Sequence, residues 1–331
     1  MSARSLCFIV PALSASLLAL TACHQHSRDE TYFLISNNLK LPYWQTVNSG
    51  FERAASDYGV HARLVGPDTY NSAAELDAFR QAVASHPAGI LISAADASSF
   101  RSDINDAIQA GIPVITLDSD APVSQRLFFI GTDNLAAGRL GAERLAEKLN
   151  GKGNIVFFSI PGQPNLDERL RGYSAVIDDH PGMKIVDVLN VKGDPSIAFD
   201  QTRQYLARTG PAKIDAFVSL ESSSGPAIAE VLKRSNVTDR TLIAMDVGPE
   251  TLSLIKSGTI DATVSQKPWT MGYVGLKQLD EINHHKPQPF QNNYTVDSFS
   301  RYPQFINTGT ALVTKDNVDI YIESANKAGA H

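Results

Sequence analysis

The stretch GIPVITLDSD, residues 111–120, decides the fold that we expect for this chain. Residues 114–117 are all apolar or β-branched, which is typical of a strand buried on both faces of a parallel sheet. Two carboxylates and a hydroxyl follow, on Asp118, Ser119 and Asp120. Because ligands of open α/β sheets bind outside the carboxyl ends of the strands, Asp118 is predicted to contact a small polar molecule. The alternative is that Asp118 only forms a turn, since aspartate is common in loops.

The length and the charge of the chain limit its function. At 331 residues it is long enough for two domains, if a domain takes about 150 residues. Its content of 43% hydrophobic and 19% charged residues is ordinary for a globular protein. The formal charge of -6 and the pI of about 5.7 argue against a nucleic-acid partner, which favours a basic face.

Residues 1–22 are predicted to be a lipoprotein signal peptide, with a retained membrane anchor as the alternative. Arg4 precedes an apolar run over residues 6–20, which is too short to span a bilayer comfortably. The sequence LTAC at residues 20–23 resembles the lipobox of bacterial lipoproteins, which implies cleavage before Cys23 and attachment of lipid to it. Since Cys7 is the only other cysteine, cleavage leaves no pair for a disulfide.

From Thr31 onward, short apolar strands alternate with amphipathic helices. One series runs to residue 130, and a second series of similar length follows it. This alternation predicts an α/β fold with two doubly wound parallel-sheet domains, in which helices cover both faces of each sheet. Near the end of the chain we expect a polar loop over residues 284–302, one strand over 305–313 and a last helix over 316–327.

Polar side chains follow the apolar runs in both series, at Asp118, Glu221, Asp246 and Gln266. Asp246 follows its strand as Asp118 does, so the two carboxylates are expected to face each other across a cleft. Opposed carboxylates are typical of acid/base hydrolysis. They also suit carbohydrate binding, because one carboxylate accepts hydrogen bonds from two neighbouring hydroxyls. These residues alone do not separate the two uses.

Two further groups of side chains are candidates for ligand contact. Arg169 and Arg171, in the polar loop over residues 161–172, each have a guanidinium fork that suits paired hydroxyls or a carboxylate. The alternative is a surface ion pair with a neighbouring acid, and we favour it for Arg171. Tyr43 and Trp44 begin the first helix, where aromatic faces can stack on a sugar. For Trp44 the alternative is packing in the core.

The common enzymatic motifs are absent from the sequence. It contains no G-x-S-x-G elbow, P-loop or H-E-x-x-H motif, and its eight histidines have no metal-ligand spacing. The GKG at residues 151–153 precedes a predicted strand, whereas a dinucleotide-binding turn follows one. We therefore expect a protein that is not an enzyme, with no cofactor and no metal site.

Six short motifs occur at characteristic places between residues 31 and 313. They are PYW at 42–44, GIPVITLD at 111–118, GTDN at 131–134, ERLRG at 168–172, MD at 245–246 and ATVSQ at 262–266. In combination they resemble the periplasmic sugar-binding proteins of the ribose-binding type. These type 1 periplasmic binding proteins share their fold with the core of LacI-type repressors.

The resemblance implies two domains joined by a three-crossover hinge, which close on a ligand between them. It implies an N-terminal domain of residues 31–131 plus about 267–297, and a C-terminal domain of residues 132–266 plus about 298–331. Carried over residue by residue, the family's ligand contacts fall on six side chains: Tyr43, Trp44, Asp118, Arg169, Asp246 and Gln266.

Three positions depart from the ribose binders. Leu41 and Leu220 stand where those proteins have asparagine, and Ser119 stands where they have arginine. The loss of two amides and a guanidinium argues against ribose, so we expect another monosaccharide or a similarly polar molecule. The turn at residues 118–120 also resembles the autoinducer-2 and rhamnose binders of the same superfamily.

The resemblance implies an extracytoplasmic solute-binding protein that delivers a sugar to the membrane permease of an ABC-type importer. Together with the lipobox, it predicts a monomer in the periplasm or cell envelope, anchored to a membrane by lipid. The alternative is a sensor subunit that presents a ligand to a membrane signalling kinase. A transcription regulator is excluded, because nothing resembling a helix-turn-helix precedes the first strand.

The lipidation of Cys23 is testable by substitution. Cys23→Ser removes the thiol that would carry the lipid, so the variant is expected to lose its partition into membranes. Membrane fractionation and intact-mass measurement check this, with Cys7→Ser as the control that leaves both unchanged. A wild-type chain that stays in the aqueous phase, or that keeps residues 1–22, would contradict the prediction.

Overall fold

A computed structural model describes residues 27, 29–287, 290 and 293–328 of the chain. The predicted signal peptide and Cys23 therefore lie outside the described residues. Within those residues, no helix combines the length and the apolar character that a membrane crossing requires.

The first sheet has six strands in the order β11-β5-β4-β3-β1-β2, and all of its strand pairs are parallel. Its strands are β1 (Thr31–Ile35), β2 (His61–Val65), β3 (Gly89–Ile92), β4 (Val114–Leu117), β5 (Phe129–Gly131) and β11 (Phe305–Asn307). The helices that pack on it are α1 (Pro42–Tyr58), α2 (Ser72–Ala84), α3 (Ala97–Gln109) and α9 (Pro268–His284).

The second sheet has the order β12-β10-β9-β8-β6-β7. Its strands are β6 (Lys152–Ser159), β7 (Gly182–Asn190), β8 (Ala216–Ser219), β9 (Thr241–Met245), β10 (Ala262–Ser265) and β12 (Ala311–Thr314). Its helices are α4 (Asn134–Leu149), α5 (Pro164–Ile177), α6 (Pro195–Leu206), α7 (Ser224–Arg234), α8 (Pro249–Ser257) and α10 (Val318–Ala328), with a 3-10 turn at Gly210–Ala212. Only the pairing of β12 with β10 is antiparallel among the described strands. The predicted class of two α/β domains is confirmed, with sheets that are mostly rather than wholly parallel.

The chain passes between the two sheets three times, through crossing segments at residues 132–133, 266–267 and 308–310. The prediction of one strand over residues 305–313 is wrong, because this stretch forms two strands, one in each sheet. β11 pairs with β5, β12 pairs with β10, and the Thr308 and Thr310 hydroxyls between them donate to backbone carbonyls at the ends of β5 and β10. The third crossing therefore lies at 308–310 and not near residue 297. The other domain boundaries that we predicted from the sequence stay predictions.

Complete burial of the central strands organises each domain. The exposed fraction is 0% for every residue from Ile90 to Ile92 in β3 and from Val114 to Leu117 in β4. A strand covered by helices on both faces needs such a continuous apolar run. The two sheets have separate hydrophobic cores, so each domain is a packing unit of its own.

Two pairs of helices approach each other closely at glycines. A Cβ added to Gly50 of α1 would lie 2.0 Å from the carbonyl oxygen of Trp269, and one added to Gly272 of α9 would lie 2.0 Å from a carbonyl oxygen of α1. In the second domain, a Cβ on Gly138 of α4 would lie 2.1 Å from the carbonyl oxygen of Arg169 in α5. Glycine is thus required at these contacts, and Gly138 lets α4 approach the backbone of α5 at Arg169.

The close approach of α1 and α9 is testable by a single added methyl group. Gly50→Ala is expected to lower the free energy of unfolding by about 1–3 kcal/mol, because the methyl group forces the two helices apart. Chemical denaturation measures this change. The control is Ser49→Ala on the exposed face of the same helix, expected within about 0.5 kcal/mol of wild type. Equal stability of the two variants would contradict the prediction.

Candidate ligand-binding cleft

The carboxyl ends of the strands of both sheets face a common cleft, which holds a cavity of about 60 Å³. All side chains predicted as ligand contacts line it: Tyr43, Trp44, Asp118, Arg169, Glu221, Asp246 and Gln266. The position of ligand sites at strand ends accounts for this convergence. The role of each residue in binding stays a prediction.

Asp118 joins the two domains inside the cleft. It follows β4 with a left-handed φ of 58°, and its side chain is buried. Its carboxylate accepts hydrogen bonds from the Tyr43 hydroxyl (2.9 Å), the Ser93 hydroxyl (3.3 Å) and the amide of Asn165 (3.2 Å), which belongs to the second domain. Burial raises the pKa of Asp118, and the charge of Arg169 and these hydrogen bonds oppose that rise.

Asp120, the second acid of the turn, does not line the cavity. Its carboxylate forms a bidentate pair with the buried Arg126, with both N–O distances at 2.6 Å. It also accepts from the Thr116 hydroxyl (2.6 Å) and the Ala121 N–H (2.7 Å). Asp120 therefore fixes the turn that presents Asp118 to the cleft.

Arg169 is largely engaged within the second domain. Nε donates to Asn134 Oδ1 (2.9 Å), Nη1 to the Leu220 carbonyl (2.8 Å) and Nη2 to Gln266 Oε1 (3.0 Å). A guanidinium has five N–H groups, so two remain for a ligand. Arg171, in contrast, is exposed and pairs with Glu168 at 3.3 Å, which agrees with the surface pair that we favoured for it.

Gln266 connects Arg169 to Asp246 and to the hinge. Its Nε2 donates to Asp246 Oδ1 at 2.9 Å, while its Oε1 accepts from Arg169 and from the Thr132 hydroxyl at 2.9 Å. Thr132 belongs to the first crossing segment and Gln266 to the second. The side of the cleft that belongs to the second domain is therefore tied directly to two of the three crossings.

The carboxyl group of Asp246 has an unusual pKa for an aspartate. Burial raises it to about 6, against the charge of Arg169 and the hydrogen bond from Gln266. The negative charges of Asp118 and Glu221 add to the rise. Near neutral pH the ionised Asp246 is therefore a strong acceptor held in a poorly hydrated place.

Glu221 lines the cavity, but its carboxylate serves its own turn. It accepts from the backbone N–H groups of Ser223 (2.6 Å) and Ser224 (2.8 Å) and from the Ser223 hydroxyl (2.6 Å). These contacts satisfy the free N–H groups at the beginning of α7. Fewer acceptor positions are left for a ligand than the sequence suggested.

Trp44 combines the two roles that the sequence left open. It is 2% exposed and packs in the first hydrophobic core, and it also lines the cavity. The ring of Tyr43 meets it edge-on, with the ring centroids 5.3 Å apart. The pair therefore forms a rigid wall of the cleft that presents the Tyr43 hydroxyl to Asp118.

Sequence reasoning gave no individual role to several lining residues. Asn37 follows β1 and Tyr70 follows β2, so the position of ligand sites at strand ends, applied to the first two strands, points to this region. Gln163 and Asn165 lie at the beginning of α5. There Pro164 occupies the first turn, where its missing N–H costs nothing. This signal places Asn165 at the amino end of a helix, close to the strand ends.

One group of possible metal ligands lies outside the cavity lining. Among the described residues, Glu30, Asp280 and His284 bring three ligand atoms within 4.8 Å of one another. Nε2 of His284 lies 3.2 Å from Glu30 Oε1, and the Tyr32 hydroxyl donates to Asp280 at 3.1 Å. Hydrogen bonding between the beginning of β1 and the end of α9 accounts for this proximity.

Comparison with protein families identifies a match over most of the chain. Residues 32–286 match the family model described as periplasmic binding protein domain. The chain is 26% identical over 277 residues to the ribose import binding protein RbsB of Haemophilus influenzae, covering 81% of this chain and 91% of that protein. RbsB of Bacillus subtilis is 25% identical over 292 residues, with 83% and 92% covered.

Solved structures of sugar-binding proteins have the same fold. GanP, a glucose-galactose binding protein from Geobacillus stearothermophilus, has a TM-score of 0.79 at 27% identity, covering 88% of this chain and 99% of that one. An ABC transporter solute-binding protein from Burkholderia graminis, in complex with D-arabinose, has 0.79 at 28%, covering 88% and 97%. The XylFII-LytSN complex has 0.78 at 27%, covering 87% and 98%.

The raised pKa of Asp246 predicts how the stability of the ligand-free protein depends on pH. Its folded value of about 6 exceeds the ordinary value of 3.8, so its ionisation destabilises the fold increasingly from about pH 4 to pH 6. Asp246→Asn is therefore expected to raise the free energy of unfolding at pH 7.5, by at most about 3 kcal/mol.

The gain is expected to shrink as the pH falls from 6 towards 4. Denaturant titrations across this pH range measure it. Asp77→Asn, on an exposed position of α2, is the control with a small effect at every pH. A gain that is the same at pH 4.5 and pH 7.5 would show that burial of the charge is not its cause.

Proposed function

Because this chain belongs to the periplasmic binding protein family, we propose that it is the solute-binding protein of an ABC-type sugar importer and binds a monosaccharide in the cleft. RbsB proteins are named for ribose import, GanP for glucose and galactose, and the Burkholderia graminis protein is in complex with D-arabinose. The ligand proposed here is a neutral pentose or hexose.

The observation that carries this proposal is the pair of carboxylates contributed by the two domains. Asp118 and Asp246 both follow a central strand, and both have a left-handed backbone. Burial raises the pKa of each carboxyl group. A carboxylate has about four acceptor sites, and Asp246 gives one oxygen to Gln266. Acceptors therefore remain for neighbouring sugar hydroxyls on the side of the second domain.

The charges of the cleft favour a neutral ligand over an anionic one. Asp118, Asp246 and Glu221 are three acids facing one cation, Arg169. A phosphorylated or acidic sugar would meet like charges in a poorly hydrated place, which is costly. The chemistry of the cleft thus supports transport of a free sugar.

A sensor subunit is the second candidate function. The XylFII-LytSN complex contains a chain of this fold, and the match to it covers 98% of that chain. As a sensor subunit, this protein would present its ligand to a membrane signalling kinase instead of a permease. Purification of the membrane-bound partner distinguishes the two candidates, because a permease and a kinase differ in sequence.

The resemblance to autoinducer-2 and rhamnose binders rested on the turn at residues 118–120. Asp120 pairs with Arg126, so this turn offers the cleft one carboxylate and not two. No other feature of the described cleft supports that alternative. We therefore keep a monosaccharide as the proposed ligand.

The family supports a place of action outside the cytoplasm, and the lipobox at residues 20–23 supports a lipid anchor. Periplasmic binding proteins act outside the cytoplasm, and we propose that this one is a monomer in the periplasm or cell envelope. Cys23 would carry the lipid, only eight residues before the first strand begins at Thr31. An extended chain of that length reaches roughly 30 Å, which keeps the protein close to the membrane surface.

The role of Asp118 is testable with a sugar found by a thermal-shift screen, since a bound ligand stabilises the folded state. Asp118→Asn is expected to weaken binding at least about tenfold, because hydrogen bonds to charged groups contribute about 1.5–3 kcal/mol. Calorimetric titration measures the affinity. Arg171→Ala, with 68% of its side chain exposed, is the control expected within about twofold of wild type.

Arg169→Ala is expected to lose affinity and stability together. Its side chain donates to Asn134, Leu220 and Gln266. Its removal leaves the buried Asn134 and Leu220 oxygens without their donor and leaves Gln266 Oε1 with the Thr132 hydroxyl. For this reason Asp118→Asn is the sharper test. Wild-type affinity in Asp118→Asn would mean that the sugar binds elsewhere.

A further inference from the structure

Tyr70 of the first domain contacts the second domain at the mouth of the cleft. It lies in the loop between β2 and α2, and its half-buried side chain packs against the hydrophobic core of the second domain. Opposite it lies Gly193, in the loop between β7 and α6. A Cβ added to Gly193 would be 2.5 Å from the Tyr70 Cβ, so only glycine permits this approach.

The contact lies at the edges of the sheets that are farthest from the hinge. β5 and β11 form one edge region of the first sheet, and β10 and β12 form one edge region of the second. The three crossing segments leave from these strands. Tyr70 follows β2 and Gly193 follows β7, which are the opposite edges of the two sheets.

The loop that carries Tyr70 is held in place on both sides. The Pro67 carbonyl accepts from the Leu39 N–H (2.8 Å), and the Asn71 N–H donates to the Asn37 carbonyl (3.2 Å). The Asn71 side chain then caps α2. Tyr70 is therefore presented by a segment that is hydrogen-bonded before and after it.

The turn that carries Gly193 is equally well defined. The Asp194 N–H donates to the Val191 carbonyl (2.8 Å), and Lys192 and Gly193 between them have φ values of 52° and 70°. Two central residues with positive φ are the pattern of a type I′ turn. Asp194 also caps α6, so the turn is fixed to a helix.

We propose that Tyr70 and Gly193 form a latch that closes the mouth of the cleft and slows the release of the ligand. The inference rests on the proposed function, in which the domains close on a sugar. A rotation about the crossing segments displaces the far edges of the sheets most, so a contact there is lost at a small opening angle. Tyr70 also lines the cavity, so the latch completes the wall around the ligand.

The first test adds a methyl group at the latch. Gly193→Ala brings a Cβ into collision with Tyr70 only when the domains are closed. It is expected to raise the dissociation constant and the dissociation rate of the screened sugar at least about tenfold. Calorimetry and stopped-flow fluorescence measure them.

Gly59→Ala is the matched control for backbone strain. Gly59 ends α1 with a φ of 71°, nearly the same as Gly193, and a Cβ there meets nothing within 4 Å. Both variants therefore place alanine in a left-handed conformation, and only one adds the collision. Gly59→Ala is expected to bind within about twofold of wild type. Equal binding by the two variants overturns the latch.

A second variant separates the collision from other effects at Gly193. Because the collision is between two Cβ atoms, Tyr70→Ala does not relieve it, whereas Tyr70→Gly does. In the Tyr70→Gly background, Gly193→Ala is expected to change the dissociation rate less than about twofold. A further tenfold increase in that background would overturn the assignment of Tyr70 as its partner.

The last test needs no ligand. Disulfides require Cβ atoms about 3.5–4.5 Å apart, and the Cβ positions of residues 70 and 193 lie 2.5 Å apart in the closed form. A small separation of about 1–2 Å brings them into range, so Tyr70→Cys with Gly193→Cys is expected to cross-link on mild oxidation, in a chain carrying Cys7→Ser and Cys23→Ser. Tyr70→Cys with Gly162→Cys is the control, since a Cβ at Gly162 meets nothing within 4 Å. No cross-link in the first pair overturns the latch. If this pair cross-links but the wild-type chain binds none of the screened sugars, the proposed function is contradicted and the latch is not.

Discussion

A buried guanidinium holds the second half of the cleft together. Arg169 is 3% exposed, and a buried cation is tolerated only when its N–H groups find partners. It finds them in Asn134 at the beginning of α4, the Leu220 carbonyl after β8, and Gln266. Gln266 also accepts from Thr132, so two crossing segments depend on the same cation. Relative movement of the domains is therefore coupled to the geometry of the cleft.

The buried acids around this cation lower the stability of the ligand-free protein. Asp118 and Asp246 both have a raised pKa because burial removes water from their carboxylates. Hydrogen bonds from Tyr43, Ser93 and Asn165 replace only part of that hydration at Asp118. Sugar hydroxyls are suited to supply the rest, since they donate to carboxylates as water does. The cleft thus gives up stability for binding, which is common at functional sites.

Local sequence patterns predict most of the fold and the acids of the site. Buried strands appear as apolar runs, and Asp118 follows such a run at the edge where ligands of parallel sheets bind. What they miss depends on which partner a side chain finds in the folded structure. Asp120 turns to Arg126, and Asn165 reaches Asp118 across the cleft. Residues 305–313 appeared as one strand because nothing local indicates that β5 and β10 receive its two halves.

The path of the chain through the two sheets has a consequence for folding during synthesis. Five of the six strands of the second sheet, β6 to β10, come from one continuous stretch. The first domain lacks α9 and β11 until that stretch has been made, although α9 packs extensively against α1. Contacts between such distant segments form late, because closing a long loop costs entropy. The first domain therefore completes its core only after most of the second domain has been made, even though its own synthesis begins first.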